Sequence, residues 1–292
     1  MAERNLVVVR AGDKSLHEGW LAPQRGFDMV VSYFGDDPDR WRQPGVRRID
    51  GKGSKWVGLH ALLSSGALDW RAYDRIWLPD DDLACTPQAV EELFAHAQLH
   101  GFALAQPSLS KDSYISHAST AHNPRFVFRR TNFVEAMAPV FTRDFLERVL
   151  PTFVENESGW GIDYLWQMYL DKPRLECGIV DAVQVRHTRP VGGPNYARMV
   201  AEGRSPFDEF RALRRKYALT DITHLCWGGL AVDGCELRTD EPADAMRLLG
   251  DALDGMRPWL DEAGISAIIA GQIAASPALR AAAQRSIEQS AA

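Results

Sequence analysis

The sequence predicts an α/β protein with a mixed, mainly parallel sheet that is flanked by helices. Short apolar runs rich in β-formers alternate with segments that have the apolar spacing of helices. Polar or acidic residues directly follow several of these runs, as expected where parallel strands end at the carboxyl edge of a sheet. The length of 292 residues suits one large domain, or one domain with an extension.

The composition is that of an ordinary globular protein, with 46% hydrophobic and 25% charged residues. The formal net charge of -6 and the lack of a basic stripe argue against a nucleic-acid partner. No run of about 18 apolar residues is present, so we expect no transmembrane segment. The scattered cysteines, without paired spacing, predict reduced thiols and a cytoplasmic location, with peripheral binding at the inner membrane face left open.

Two strands are predicted near the N-terminus, at residues 6–9 and 27–34. The polar loop 10–15 follows the first strand, where a nucleotide base or ribose can bind, and residues 35–38 close the second. The nucleotide-binding candidates at these two strand ends are Arg10, Gly12, Asp13 and Asp36.

A helix is predicted after the stretch Gly51-Lys52-Gly53-Ser54-Lys55, with Ser54 as its N-cap. Lysine at a helix N-terminus is unfavourable with the helix dipole unless an anion binds there. Lys52 and Lys55 are therefore candidates for phosphate contacts, although an ordinary exposed lysine explains either position equally well. The spacing is not that of a P-loop.

Three consecutive carboxylates, Asp80, Asp81 and Asp82 (the Asp triplet), follow the buried strand Ile76-Trp77-Leu78 and Pro79. Their mutual repulsion calls for a positive partner, and hard divalent cations bound with phosphates prefer such oxygen ligands. In an extended segment Asp80 and Asp82 can reach one ion, whereas Asp81 points elsewhere. Asp80 and Asp81 are also counted as nucleotide-binding candidates. A solvated turn is the alternative, but Thr86-Pro87 already supplies a helix cap.

Two later stretches carry further candidates. Residues 155–163 contain a Gly-Trp-Gly turn, with Glu157 before it and Asp163 in the first turn of the next helix. The alternative for Asp163 is a surface position favoured by the helix dipole. The last strand of the core, residues 178–187, ends in His187, which is either a ligand or a structural histidine.

The composition changes after the Pro- and Gly-rich residues 190–194, so we place a boundary between residues 192 and 193. Residues 1–192 form the predicted core domain, and residues 193–292 a mainly helical extension. The last helix, around residues 265–287, is predicted to pack on the domain, with dimerisation or contact with a membrane surface as alternatives.

The strand-end motif Ile76-Trp77-Leu78-Pro79-Asp80-Asp81-Asp82 resembles the Asp-x-Asp strand end of glycosyltransferases with the GT-A fold. A more particular resemblance, over roughly residues 5–192, is to the family known as domain of unknown function 707. It rests on residues 106–109, 134–141 and 159–163, together with Val180-Asp181 and His187.

The resemblance implies a GT-A-like core that transfers sugar from a nucleotide-sugar donor, with a UDP-sugar favoured, to a glycan or glycolipid acceptor. It implies Mn²⁺ or Mg²⁺ bound by Asp80, Asp82 and His187, and Asp163 as the base that activates the acceptor. Glu157 is the second candidate base. The sequence leaves inverting and retaining mechanisms open.

Two other functions fit some of these residues. A metal-dependent phosphatase of the haloacid-dehalogenase kind also has a strand followed by Asp-x-Asp, but Leu83-Ala84 does not match the continuation of that motif. A GT-A-like module that binds a sugar nucleotide or glycan without turnover is the non-enzymatic alternative.

Overall fold

The structure is a computed structural model that describes residues 3–190, 192, 194–220 and 222–290. Gly193, at the predicted domain boundary, lies outside the described residues. In chain order the strands are β1 (Asn5–Ala11), β2 (Phe27–Tyr33), β3 (Arg47–Asp50), β4 (Arg75–Trp77), β5 (Leu83–Ala84), β6 (Leu104–Leu109), β7 (Phe126–Thr131), β8 (Val140–Thr142), β9 (Cys177–His187), β10 (Cys226–Ala231) and β11 (Glu236–Arg238). The helices are α1 (Lys55–Ser64), α2 (Pro87–Leu99), α3 (Arg143–Val149), α4 (Ile162–Trp166), α5 (Pro173–Glu176), α6 (Pro194–Ala201), α7 (Pro206–Lys216), α8 (Pro242–Met256), α9 (Glu262–Ala275) and α10 (Pro277–Ser290).

The sheet is mixed, and its strand order is β11-β10-β7-β9-β6-β8-β4-β1-β2-β3. Strands β3, β2, β1 and β4 are parallel neighbours, and β6 is parallel to β9. The short β8 runs antiparallel between β4 and β6, and so keeps these two groups in the same direction. The α/β class and a mixed sheet flanked by helices are therefore confirmed. Among the described strands, however, antiparallel pairings (six) outnumber parallel ones (four), because β7, β8, β10 and β11 were not foreseen as antiparallel members of the sheet.

Both faces of the sheet are buried because β1 is apolar at every position from Leu6 to Val9. Leu6 and Val8 belong to a core that includes Trp56 of α1, whereas Val7 and Val9 belong to a second core that includes Phe94 of α2. A continuous apolar run of this kind is typical of an inner parallel strand covered by helices on both sides. The helices thus leave the strand ends as the open part of this sheet.

The C-terminal part is mostly helical, but it also extends the sheet. Strands β10 and β11 were not predicted, and β10 pairs with β7 in antiparallel orientation. The Gly228-Gly229 pair in β10 conceals this strand in the sequence, because glycine is uncommon inside strands. Gly229 is required for packing, since a Cβ atom there would lie 2.7 Å from the carbonyl oxygen of Phe128. The division into two domains stays a prediction.

Within the described residues, no single helix is long and apolar enough to cross a membrane. Helix α9 and residues Pro277–Arg285 are long and apolar enough only when taken together, and the chain bends by 107° at the break between them. The cytoplasmic location, the peripheral membrane contact and the dimer through the C-terminal helices stay predictions.

Candidate active site

The Asp triplet lies at the carboxyl edge of the sheet, directly after β4, as predicted. The main chain is fixed there because the Asp80 N–H donates to the carbonyl oxygen of Met137 at 2.7 Å. The following strand β5 pairs with β9, so that Leu83 stands opposite His187. The N–H and hydroxyl of Thr188 donate to the carbonyl oxygen of Asp82 at 3.1 and 2.8 Å. This pairing places Asp82 next to His187.

Asp82 and His187, two of the predicted metal ligands, are in direct contact. Asp82 Oδ2 lies 3.4 Å from His187 Nε2, and both residues are buried. Asp82 Oδ1 is also buried and has no hydrogen-bond partner in the described residues. Burial lowers the pKa of His187, but its bond to Asp82, its contact with the carbonyl oxygen of Tyr114 and the negative charge of Asp80 outweigh burial and raise this pKa to about 9.

Lys55 is the positive partner of Asp80, the first residue of the Asp triplet. Its ammonium group lies 2.6 Å from Asp80 Oδ1 and donates to the carbonyl oxygens of Ala136 and Met137 at 2.7 and 3.1 Å. Lys52, only three residues away, is largely exposed and donates to Asp36 Oδ1 at 2.6 Å and to the carbonyl oxygens of Phe34 and Gly35. The structure thus separates two lysines that look alike in the sequence.

Asp81 has different partners from Asp80 and Asp82, as predicted, but residues 81 and 82 form a turn rather than the extended segment on which that prediction depended. Its Oδ2 accepts a hydrogen bond from the Gly12 N–H at 2.8 Å, and its Oδ1 lies 3.2 Å from the guanidinium of Arg189. Asp81 therefore joins the loop after β1 to the chain that follows β9. Arg189 was not among the predicted site residues.

The nucleotide-binding candidates after β1 and β2 have different environments. Arg10 lies inside β1 rather than in the loop, which corrects the predicted start of the loop. Its guanidinium is buried and donates to Ser32 Oγ and to the carbonyl oxygens of Gly51 and Gly53 at 2.7–3.0 Å. Asp13 is exposed and accepts a hydrogen bond from the Tyr33 hydroxyl. Arg10 is therefore held by the protein, whereas the Asp13 carboxylate reaches solvent.

Asp163 lies in the first turn of α4, beneath the Gly-Trp-Gly turn. Gly159 and Gly161 adopt φ of +78° and +86°, values that glycine allows without strain. Asp163 is 7% exposed, and its Oδ2 accepts a hydrogen bond from the Ala136 N–H at 3.1 Å. Burial raises its pKa to about 6. Asp163 is thus a buried carboxylate beside the segment that also binds Lys55.

Glu157 lies on the outer side of the same turn. Its carboxylate pairs with Arg204 at 2.6 Å and also with Arg198. The hydrogen bond from Arg204 and then that from Arg198 lower the pKa of Glu157. These two ion pairs make Glu157 a weaker base than Asp163.

Glu135 is a functional candidate that the sequence analysis did not single out. It is 8% exposed, and its Oε2 has no hydrogen-bond partner in the described residues. Burial, and then the charge of Asp163, raise its pKa to about 8. The signal in the sequence is a lone acidic residue within the apolar residues 133–141. Burying a charged side chain in such a segment is costly unless the charge has a partner.

Residues beyond the predicted boundary also reach this cluster. His224 stacks on Phe133 with ring centroids 3.9 Å apart, and its Nε2 lies 3.0 Å from the hydroxyl of Tyr164, which follows Asp163. Burial raises the pKa of Tyr196 in α6 to about 12, and the charges of Asp80 and Asp163 act in the same direction. The predicted extension therefore packs against the segment that contains Glu135 and against helix α4, which contains Asp163.

Two of the three predicted metal ligands are suited to binding a hard divalent cation. The free oxygen of Asp82 and the imidazole of His187 are suitable ligands, but Asp80 is paired with Lys55. Accordingly, among the residues that the structure describes, no three metal-ligating side chains are grouped closely enough for a complete site. Phosphate oxygens of a ligand are the other donors that such an ion takes.

The family model described as "Protein of unknown function (DUF707)" matches residues 128–223 of this chain. This segment is less than half of the chain, and it contains Glu135, Asp163 and His187 but not the Asp triplet. The resemblance predicted from the sequence is therefore confirmed over β7 to α7. No curated protein is detectably similar in sequence.

Three solved structures are similar in fold, at low sequence identity. One is a mycobacterial protein, with a TM-score of 0.42 and 13% identity over 65% of this chain and 69% of that chain. A second is GalNAc-T7 with UDP, GalNAc and Mn²⁺, with a TM-score of 0.48 and 10% identity over 65% of this chain and 44% of that chain. A third is glucosyl-3-phosphoglycerate synthase from Mycobacterium tuberculosis with Mn²⁺, UDP-glucose and phosphoglyceric acid, with a TM-score of 0.47 and 14% identity over 77% of this chain and 86% of that chain. At these identities the similarity concerns the fold alone.

Proposed function

We propose that this protein is a metal-dependent glycosyltransferase that moves a sugar from a nucleoside diphosphate donor to a hydroxyl group of an acceptor. The observation that carries this proposal is the unpartnered, buried Oδ1 of Asp82 beside His187, next to the Lys55–Asp80 pair. A carboxylate oxygen without a partner is costly inside a protein, and a cation bound together with a diphosphate offsets that cost.

Asp82 and His187 would hold the ion, either Mn²⁺ or Mg²⁺, and Asp80 would join them on release from Lys55. When bound, the ion neutralises negative charge that develops on the departing diphosphate. Lys55 lies beside Asp80 and supplies a further positive charge for the same phosphates. The proposed donor is a UDP-sugar, and Gly12, Asp13, Asp36 and Lys52 at the ends of β1 and β2 are the proposed contacts for its nucleoside.

Asp163 is the proposed base. The acceptor O–H proton passes to its carboxylate while the acceptor oxygen bonds to the anomeric carbon of the sugar, and the bond from that carbon to the diphosphate oxygen breaks. This inverting course has support in the buried position of Asp163, whose pKa of about 6 makes it a stronger base than an ordinary aspartate. The proposed acceptor, a surface polysaccharide or a glycolipid, has support only in the family resemblance.

The test is a calorimetric titration of the full chain with UDP, GDP, CDP and their common sugar conjugates, with and without Mn²⁺. We expect one nucleoside diphosphate to bind only when Mn²⁺ is present. The Asp82→Ala variant should fold but lose this metal-dependent binding. Metal-independent binding, or unchanged binding by Asp82→Ala, would contradict the metal assignment, and failure of every nucleotide to bind would contradict the proposed transferase.

A further inference from the structure

One buried acidic side chain near the proposed site, Glu135, has no part in the reaction described above. Its main chain is fixed because the Glu135 N–H donates to Gln106 Oε1 at 2.6 Å. The side chain is 8% exposed, and its Oε2 is buried without a hydrogen-bond partner among the described residues. Since leaving a buried polar atom unpaired is costly, a partner from a bound ligand is the expected reason for keeping it there.

Glu135 is close to both halves of the proposed site. Its carboxyl group interacts electrostatically with Asp163, the proposed base, and with His187 and Asp80, the proposed metal ligands. When Glu135 is ionised, its charge also acts on Lys55, the proposed phosphate contact. The backbone explains this position, because the next residue, Ala136, donates to Asp163 through its N–H and accepts from Lys55 through its carbonyl oxygen.

The geometry points to a sugar-binding role: we propose that Glu135 forms a hydrogen bond with a hydroxyl group of the sugar that is transferred. This inference rests on the proposed function. During transfer the anomeric carbon must lie between the diphosphate that leaves and the acceptor oxygen beside the base. Ala136, the residue after Glu135, contacts Lys55 at the phosphate end of this path and Asp163 at the acceptor end, so the main chain places Glu135 beside the position of the sugar.

The chemistry of the side chain suits this role. Burial, with the charge of Asp163 next, raises the pKa of Glu135 to about 8, so that the carboxyl group keeps its proton at neutral pH. A protonated carboxyl both donates and accepts a hydrogen bond, as a sugar hydroxyl does. A site built to pair with a hydroxyl discriminates against sugars that lack it, because the buried carboxyl is then left unpaired.

The experiment compares the affinity for UDP with that for UDP-sugars in the full chain with Mn²⁺. The probes are UDP, UDP-glucose, UDP-galactose and UDP-N-acetylglucosamine. If the titration described above shows that the protein binds GDP or CDP instead, the sugar conjugates of that nucleotide are used. The variants are Glu135→Ala and the isosteric Glu135→Gln. Glu147→Gln is the matched control, since Glu147 is half exposed and pairs with Arg71 on the surface at 3.0 Å.

For Glu135→Ala we expect UDP to bind within about twofold of the wild type, whereas the extra affinity that the sugar provides falls by about 10-fold. Glu135→Gln, which keeps a donor and an acceptor, should retain part of that extra affinity, and Glu147→Gln all of it. Unchanged UDP binding also shows that each variant is folded.

Two results would overturn the inference while leaving the proposed function intact. One is an unchanged ratio of UDP-sugar to UDP affinity in Glu135→Ala. The other is an equal loss of affinity for both ligands, which would place Glu135 at the nucleotide or in the fold. A wild-type protein that binds none of the nucleotides would instead overturn the proposed function, and this inference with it.

Discussion

Two groups of acidic side chains in this protein differ in how their charges are balanced. In the inner group, which consists of Asp80, Asp82, Glu135 and Asp163, Lys55 is the only lysine or arginine that forms a salt bridge within the described residues. In the outer group, Glu155 pairs with Lys216, and Glu157 pairs with Arg198 and Arg204. Both groups look equally acidic in the sequence.

A run of acidic residues therefore does not by itself indicate a functional site. The outer carboxylates have lowered pKa values because arginine, lysine and tyrosine hydrogen bonds stabilise their charge. Burial raises the pKa values of Glu135 and Asp163, and two oxygen atoms of the inner group have no partner in the described part of the chain. Unbalanced charge that stays buried is a mark of a functional site.

The largest effect should come from removing the charge of Asp163. We expect Asp163→Asn to lower kcat by about 10²- to 10⁴-fold, because the amide cannot accept the acceptor proton. Glu157→Gln should lower kcat by less than about fivefold, since Glu157 serves exposed ion pairs. The measurement is the initial rate with the donor found by titration, and intact donor binding serves as the folding control. The reverse order of the two effects would make Glu157 the base.

The sequence identifies some of the inner residues but not others. Asp80, Asp82 and His187 could be placed at strand ends from the sequence, because strand ends are local properties, whereas the turn at residues 81 and 82 was not foreseen. That His187 stands opposite Leu83 depends on pairing between β5 and β9, and no local pattern specifies this register. Glu135 was missed because an acidic residue in an irregular segment has no periodicity to mark it.

The lysines show the same limit. The sequence placed Lys52 and Lys55 near the start of α1 but could not distinguish them, since both belong to one glycine-rich stretch. The difference arises because α1 begins at Lys55, where the side chain faces the 133–139 segment, and Lys52 lies before the helix beside the loop after β2. Such contacts, between residues that are far apart in the chain, exist only after the sheet has formed.

Replacing each of these lysines should have an effect of intermediate size. Lys55→Met should lower metal-dependent nucleotide affinity by at least about 10-fold and destabilise the fold, because it leaves two carbonyl oxygens and Asp80 without their donor. Removing one partner of a buried ion pair typically costs about 3–5 kcal/mol, and the partial exposure of Asp80 reduces this cost. Lys52→Met should have a much smaller effect on both quantities, as expected for an exposed pair.

Urea denaturation and calorimetry of the two variants test this prediction. Lys216→Met is a suitable control, since Lys216 is exposed and pairs with Glu155 outside the inner group. A greater loss of affinity in Lys52→Met than in Lys55→Met would make Lys52 the phosphate contact. It would also contradict the assignment of Lys55 as the functional lysine of the inner group.

The smallest effect is the contribution of the inner group to the pH dependence of stability, which has the opposite sign to ordinary acid denaturation. The ordinary values of 4.5 for Glu135 and 3.8 for Asp163 are raised in the fold to about 8 and about 6. Between the unfolded and the folded pKa the native state binds more protons than the unfolded chain, so these groups stabilise the fold at low pH and lose that contribution as pH rises. His187, with a pKa raised to about 9, acts in the same direction at higher pH.

The comparison that isolates Glu135 is therefore the wild type against Glu135→Gln. The urea midpoint of the wild type relative to that of Glu135→Gln, measured with EDTA, should fall from pH 5 to pH 8, because the contribution of Glu135 is lost as pH rises. Burial lowers the pKa values of His17, His117 and His224, which contribute in the opposite direction in both proteins, so they do not affect this difference. The wild type relative to Glu155→Gln, from the outer group, should show no such fall, because the pKa of Glu155 is lowered rather than raised. Identical slopes for the wild type and Glu135→Gln would mean that Glu135 ionises normally in the fold, and the inner group would then not differ from the outer one in the way that the geometry indicates.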